Sequence, residues 1–201
     1  MTLHPPVAAL AAVLLGTGAA AAADNSAALD LIRRECSTCH GAKGVSVSPT
    51  FPNLASQTKQ YLDAQLKAFR DRSRADPHAQ AFMWGMAAQL TDDTIKQMAE
   101  FFAQQPAPRG EAGDKAEVAA GEKIYKEGIE KQDVPACMSC HGDIAQGNEL
   151  FPRLAGQRRN YLEKQLEAFS AQLRANEIMH ENSKKLTARQ ISELAAYLSS
   201  L

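Results

Sequence analysis

The chain has 201 residues, 45% of them hydrophobic, and its 22 Lys and Arg nearly balance its 23 Asp and Glu for a formal net charge of −1. That length suits an export leader followed by two small domains, which are marginal on their own because short chains bury a small share of their surface. The near-neutral balance excludes a global basic footprint for nucleic acid.

Residues 1–23 read as a secretory signal peptide. Val7 to Ala23 is an apolar, Ala-rich run, and Ala21-Ala22-Ala23 before Asp24 fits a small-residue cleavage site. The run lacks a preceding Lys or Arg, so an uncleaved anchor is the alternative; no other segment is apolar for long enough to span a bilayer. Ser26 to Glu35 is a short helix with Ser26 as its N-cap. Cys36-Ser37-Thr38-Cys39-His40 follows at once, and Gly41 to Pro52 is a loop rich in Gly, Ser and Pro. Ser56 is the expected cap of a helix carrying Tyr61, Leu62, Leu66 and Phe69 on one stripe, with both Tyr61 and its later counterpart Tyr161 expected to pack on a domain core. Arg70 to Gln80 reads as loop around Pro77, and Ala81 to Met86 as an apolar island within that loop. Thr91 starts a helix with Asp92 and Asp93 in its first turn and with Ile95, Met98, Ala99 and Phe102 as its buried face. Pro106 to Gly110 marks a linker over 106–115, dividing a first domain, 24–105, from a second, 116–201.

The second half repeats the first. Glu117 to Lys126 is a helix leading to Cys137-Met138-Ser139-Cys140-His141. Phe151-Pro152-Arg153-Leu154-Ala155 matches Phe51-Pro52-Asn53-Leu54-Ala55, and Tyr161 to Phe169 matches Tyr61 to Phe69. Thr187 opens a capping box at the place of Thr91, and Ile191, Leu194, Ala195 and Leu198 repeat the last apolar face. A period near one hundred residues is too long for a solenoid and indicates tandem domains.

The two C-x-x-C-H motifs use every cysteine in the chain, and this is the attachment signature of c-type haem. Two thiols one short turn apart can add to the two vinyl groups on one porphyrin edge, and the next residue, an imidazole, then ligates the iron. Zinc is disfavoured because structural zinc pairs its ligands across much shorter separations. A thioredoxin-like dithiol needs a βαβ context, and no convincing strand is present. A disulfide leaves the repeated His without a role. The chemistry therefore calls for two covalent haem c groups, held by Cys36 and Cys39 and by Cys137 and Cys140, with His40 and His141 as axial ligands.

The opposite axial position decides whether a haem carries electrons or binds a small molecule. Met83, Met86, Met98 and His78 are the candidates in the first half, Met179 and His180 in the second. Aligning Leu90-Thr91 with Leu186-Thr187 places Met83 on Met179, and no other Met or His candidate pairs in that register. Met83 and Met179 are therefore the expected sixth ligands, Met98 belonging instead to the core face of its helix. A thioether favours ferrous iron and raises the potential, and two filled axial positions describe an electron carrier rather than an enzyme.

Tandem C-x-x-C-H domains, each with an F-P-x-L-A segment, a Y-L-x-x-Q-L helix and a Met segment before the last helix, resemble the dihaem cytochromes c4 over essentially the whole chain after the leader. Met83-Trp84-Gly85 with Leu90 resembles the family's M-x-G-x-x-x-x-L ligand loop. The resemblance implies an all-α fold of two tandem class I cytochrome c domains whose haems face each other near a pseudo-twofold interface. It implies a periplasmic carrier of single electrons toward a haem–copper terminal oxidase, in peripheral association with the membrane, its redox partners being that oxidase, a quinol-oxidising complex or a dehydrogenase. By the same resemblance a Pro carbonyl, from Pro152 and from Pro52 or Pro49, accepts a hydrogen bond from each proximal imidazole. The second Met segment departs from the pattern: Met179 to Leu186 lacks the Gly and is charged, and His180 is the substitute ligand there. Two other readings stand beside the carrier: the electron-accepting subunit of an exported dehydrogenase, and a dihaem peroxidase or gas-binding protein with one open iron.

Overall fold

The computed structural model describes Met1 and residues 27–201; the leader assigned to 1–23 and the Ser26 cap lie outside the described residues. Among those residues every regular element is helical, and β pairing is limited to two isolated bridges, Ile129 with Val134 and Asn148 with Phe151.

In the first half, α1 runs over residues 27–40 and contains a π turn, Ile32–Cys36, directly before its last turn, Ser37–His40. Then come α2, Lys59–Arg70, α3, residues 77–87, and α4, Asp92–Ala103. In the second half the corresponding elements are α5, Lys115–Glu127, α6, Met138–His141, α7, Arg159–Ser170, α8, Glu177–Ser183, and α9, Ala188–Ser200. Here the leading helix is not continuous with the motif. It stops at Gly128, with φ of 72°, and residues 129–137 form a short connection before α6.

Three local expectations change. The cap of α2 is Thr58, whose hydroxyl accepts the Tyr61 N–H, not Ser56, which has φ of 57° and donates its own N–H to the Phe102 carbonyl at 2.9 Å. The apolar island from Ala81 to Met86 is helical rather than loop: Pro77 opens α3, since a fixed φ and a missing N–H are both tolerated in a first helical turn. Met179 likewise sits on a helix, α8, capped by the Asn176 side chain, which accepts the Met179 N–H at 2.9 Å. The Thr91 cap and the Thr187 capping box, completed by Gln190, form as the sequence predicts.

Each half has its own apolar core. In the first, Ile32 of α1, Leu62 of α2 and Met98, Ala99 and Phe102 of α4 pack together, while Phe69, Ala79 and Ala87 form a smaller cluster under α3. In the second, Ile124 and Tyr125 of α5 meet Leu162 of α7 and Leu194 and Leu198 of α9. Gly121 lets α5 lie directly on α9, for a Cβ there would stand 1.9 Å from the Glu193 carbonyl oxygen.

The seam between the halves is polar and nearly symmetric. Arg74 donates to Gln65 Oε1 of its own half and to Gln165 Oε1 of the other, both at 2.8 Å. Arg174 donates to Gln165 Oε1 at 2.6 Å and to Gln65 Oε1 at 2.8 Å. Each guanidinium also reaches a tyrosine hydroxyl across the seam, Arg74 that of Tyr161 and Arg174 that of Tyr61, at 3.4 and 2.8 Å. The tyrosines thus direct their hydroxyls into the seam rather than serving only as core packing. Each guanidinium lies over a phenylalanine of its own half, Phe69 or Phe169. The buried Asp76 carboxylate pairs with Arg74 at 2.9 Å.

Candidate haem sites

Both C-x-x-C-H motifs end on a short helical turn, and the chain leaves each turn at a glycine with positive φ, 76° at Gly41 and 85° at Gly142. A Cβ at Gly41 would stand 2.1 Å from the Val45 carbonyl oxygen, so only Gly lets the following loop fold back under the histidine. That return loop brings a prolyl carbonyl to each imidazole. The His40 Nδ1–H donates to the Pro52 oxygen at 2.8 Å and the His141 Nδ1–H to the Pro152 oxygen at 3.0 Å. Pro52, not Pro49, is therefore the acceptor in the first half. The bond selects the tautomer with the proton on Nδ1 and leaves the Nε2 lone pair free to ligate a metal. The two rings are only 7% and 6% exposed. Burial holds both below the usual imidazole pKa, against the opposing pull of the carbonyl, so each is neutral and ligand-competent.

None of the four cysteines is paired in a disulfide. Cys36 and Cys137 pack against the apolar cores, and burial pushes each thiol up to about 11. Cys140 is exposed. Thioether formation removes the acidic proton altogether, so a desolvated position suits the product better than it suits a thiolate.

Of the methionines, Met83 is half-buried on α3 against Phe69, Ala79 and Ala87, whereas Met86 is 54% exposed and Met98 is 2% exposed inside the core. An aromatic chain ties α3 to the first motif: the Phe51 ring lies edge-on to His40 at 6.1 Å and to Phe82, the neighbour of Met83, at 5.2 Å. In the second half Phe151 approaches His141 at 6.4 Å, and Ile178 stands where Phe82 does in the first. Met179 is half-buried on α8. His180 is not a solvated side chain, for its Nδ1 pairs with the Phe169 carbonyl at 2.9 Å. His78 lies beside Phe82 and meets Lys164 Nζ of the other half at 3.4 Å.

These residues fit a haem. Val47, at 85% exposure, and the exposed Phe82, Ile144, Leu150, Phe151 and Ile178 flank the motifs and the methionines, and an apolar macrocycle would cover such side chains. Arg153 keeps a buried Nε with no protein partner, a donor suited to a propionate oxygen. Among the described residues no cluster of three His, Cys, Asp or Glu side chains is placed to hold a bare metal ion.

The cytochrome c family model matches residues 26–106 and again 118–201. A cytochrome c-552 of Acidithiobacillus ferridurans is 42% identical over 195 residues, covering 94% of this chain and 85% of that protein. A solved cytochrome c4 of Acidithiobacillus ferrooxidans superposes with a TM-score of 0.79 at 42% identity, over 83% of this chain and 98% of that one. The chain belongs to the dihaem cytochrome c4 family. As a cytochrome c4 it is an all-α pair of class I cytochrome c domains that bind haem c covalently and transfer electrons. A third relative, named thiosulfate dehydrogenase electron acceptor, from Stutzerimonas stutzeri (strain A1501), is 31% identical over 216 aligned positions, covering 100% of this chain and 96% of that protein.

Missing from the reading of the sequence were the polar side chains that join the two halves. Beside the Arg and Gln seam lies a second set. Gln157 places its amide against the Asn53 backbone of the other half, Oε1 accepting the Asn53 N–H at 2.7 Å and Nε2 donating to the Asn53 carbonyl at 2.9 Å. Gln57 does the same to Arg153, at 2.7 and 2.9 Å. A signal was available: Gln57, Gln65 and Arg74 recur one hundred positions on as Gln157, Gln165 and Arg174, in the same register as the apolar repeat.

Proposed function

We propose that the protein is a periplasmic carrier of single electrons between respiratory partners and not itself an enzyme. Cys36 and Cys39 would hold the first haem, with His40 and Met83 to ligate its iron, and Cys137 and Cys140 the second, with His141 and Met179. Each haem would supply a one-electron iron couple. The chain's part is to keep the imidazole neutral and oriented, offer a thioether on the opposite face and exclude water.

The observation that carries this reading is the pair of buried imidazoles, each with Nδ1 committed to a prolyl carbonyl and Nε2 left free. No helix among the described residues is long and apolar enough to cross a membrane. The terminal electron acceptor is a haem–copper oxidase in this reading. The relative named thiosulfate dehydrogenase electron acceptor, similar over the full chain, supports the alternative, a subunit accepting electrons from an exported dehydrogenase. Stopped-flow mixing separates the two. Rapid oxidation of the reduced protein by a haem–copper oxidase, with slow reduction by a thiosulfate dehydrogenase, is the expected result; the reverse order would assign the dehydrogenase role. The near-infrared sulfur-to-iron band, at two equivalents per chain, tests both methionines, and one equivalent would point to the second domain, whose Met179-His180 segment departs from the family pattern.

A further inference from the structure

The hydrogen bonds that orient the proximal histidines and those that join the domains meet on the same two peptide groups. The carbonyl of the Pro52–Asn53 peptide accepts the His40 Nδ1–H at 2.8 Å, while its N–H donates to Gln157 Oε1 of the second domain at 2.7 Å. The carbonyl of the Pro152–Arg153 peptide accepts the His141 Nδ1–H at 3.0 Å, while its N–H donates to Gln57 Oε1 of the first domain at 2.7 Å. The orientation of each Gln amide follows from its partners. Gln157 Oε1 also accepts the Arg158 N–H and Gln57 Oε1 the Thr58 N–H, both at 2.9 Å, so only the oxygen can occupy that place. Asn53, Gln57 and Gln157 are all buried, so water does not compete for these bonds.

A peptide is conjugated from N to O. Donation by its N–H moves electron density onto its carbonyl oxygen, and linked hydrogen bonds strengthen one another in a low-dielectric interior. A more basic carbonyl draws the Nδ1 proton further from the imidazole, makes Nε2 a stronger donor to the metal and so favours the ferric state. We propose that Gln157 and Gln57 are positioning residues acting crosswise, each lowering the reduction potential of the haem in the opposite domain through the peptide that its proximal histidine is bonded to. The proposal rests on His40 and His141 being the proximal ligands. Its consequence is that the two electron sites are not electronically separate modules: the contact between the domains is part of each site, and any partner that shifts the domains alters both potentials.

The test uses the holoprotein with Gln157→Met, which keeps bulk and loses the acceptor, Gln157→Glu, which keeps an oxygen on the Asn53 N–H, and Gln57→Met as the mirror case. The readouts are the potential of each haem by redox titration and the Nδ1–H resonances of His40 and His141 in the reduced protein. Gln157→Met is expected to move the His40 resonance upfield and raise the potential of the first haem, leaving His141 and its haem in place. Gln57→Met is expected to do the converse, and Gln157→Glu to leave the first potential at or below that of the parent. An unmoved His40 resonance in Gln157→Met would overturn the proposal. So would a change confined to the substituted residue's own domain, or equal rises in the Met and Glu variants, which is the mark of a loosened seam. The ligand assignment is checked separately in the parent: without a haem ring-current displacement of the His40 ring carbon-bound protons, that assignment itself fails.

Discussion

Met83 and Met86 are three residues apart on α3, yet only Met83 lies against Phe69, Ala79 and Ala87, and Met86 is turned to solvent. Met83→Ala should therefore lower the potential of one haem and open its reduced iron to carbon monoxide, while Met86→Ala should leave the carbon monoxide difference spectrum flat. Asp76 makes a different residue-scale argument. Burial pushes its carboxyl up, but the Arg74 guanidinium at 2.9 Å and the nearby Arg174 more than offset this, so it titrates below the usual carboxylate range. A depressed carboxylate stabilises the fold above its unfolded pKa of about 3.9 and loses that contribution as the pH falls through the lower folded value. Asp76→Ala leaves Arg74 buried without its counter-charge, which costs about 3–5 kcal/mol in comparable cases. In denaturant unfolding the gap between parent and variant should be largest near neutrality and close as the pH drops below about 3.9.

At the scale of elements, apolar periodicity identified α2, α4, α7 and α9, because each buries one stripe on a core formed largely within its own half. It did not identify α3 and α8. These helices are short and carry apolar residues that remain exposed, Phe82 and Met86 on one and Ile178 on the other, so their pattern answers to a prosthetic group rather than to a helical core face. The Ser56 error is of the same kind: a positive φ at Ser56 comes from its N–H reaching the Phe102 carbonyl, a contact between elements that no local pattern encodes. The α5–α9 crossing depends on one residue. Gly121→Ala would set a methyl group 1.9 Å from the Glu193 carbonyl, and forcing the helices apart should cost about 1–3 kcal/mol. Thermal unfolding followed at the second haem should detect this loss, with the first domain's core intact.

At the scale of the whole molecule, none of the apolar clusters among the described residues contains members of both halves; what joins them is buried polar contact. Such a seam gives orientation more than raw stability, since each guanidinium must recover its desolvation cost from its partners. Arg174→Ala leaves the buried Gln165 and the half-buried Gln65 and Tyr61 each with one donor fewer. The parent should unfold in one calorimetric transition and this variant in two, because each domain retains a complete core and loses only its coupling to the other. A single, uniformly lowered transition in the variant would mean that the cores, not the seam, carry the cooperativity.

The sequence by itself determined that there are two domains of one kind, that each attaches a haem c, and which thiols and imidazoles are suited to do so. These properties are written in short, contiguous patterns: attachment needs two thiols and an imidazole within five residues, and the helices need only their own apolar period. Only the tertiary structure decided that Pro52 rather than Pro49 accepts the His40 Nδ1–H, that Tyr61 and Tyr161 face the seam, and that the peptide bonded to each histidine is held by a glutamine from the other domain. All but the His40–Pro52 bond join residues about one hundred positions apart through single polar atoms. The recurrence of Gln57, Gln65 and Arg74 as Gln157, Gln165 and Arg174 marks these residues, but which atom each one bonds becomes evident only when folding brings the partners within about 3 Å.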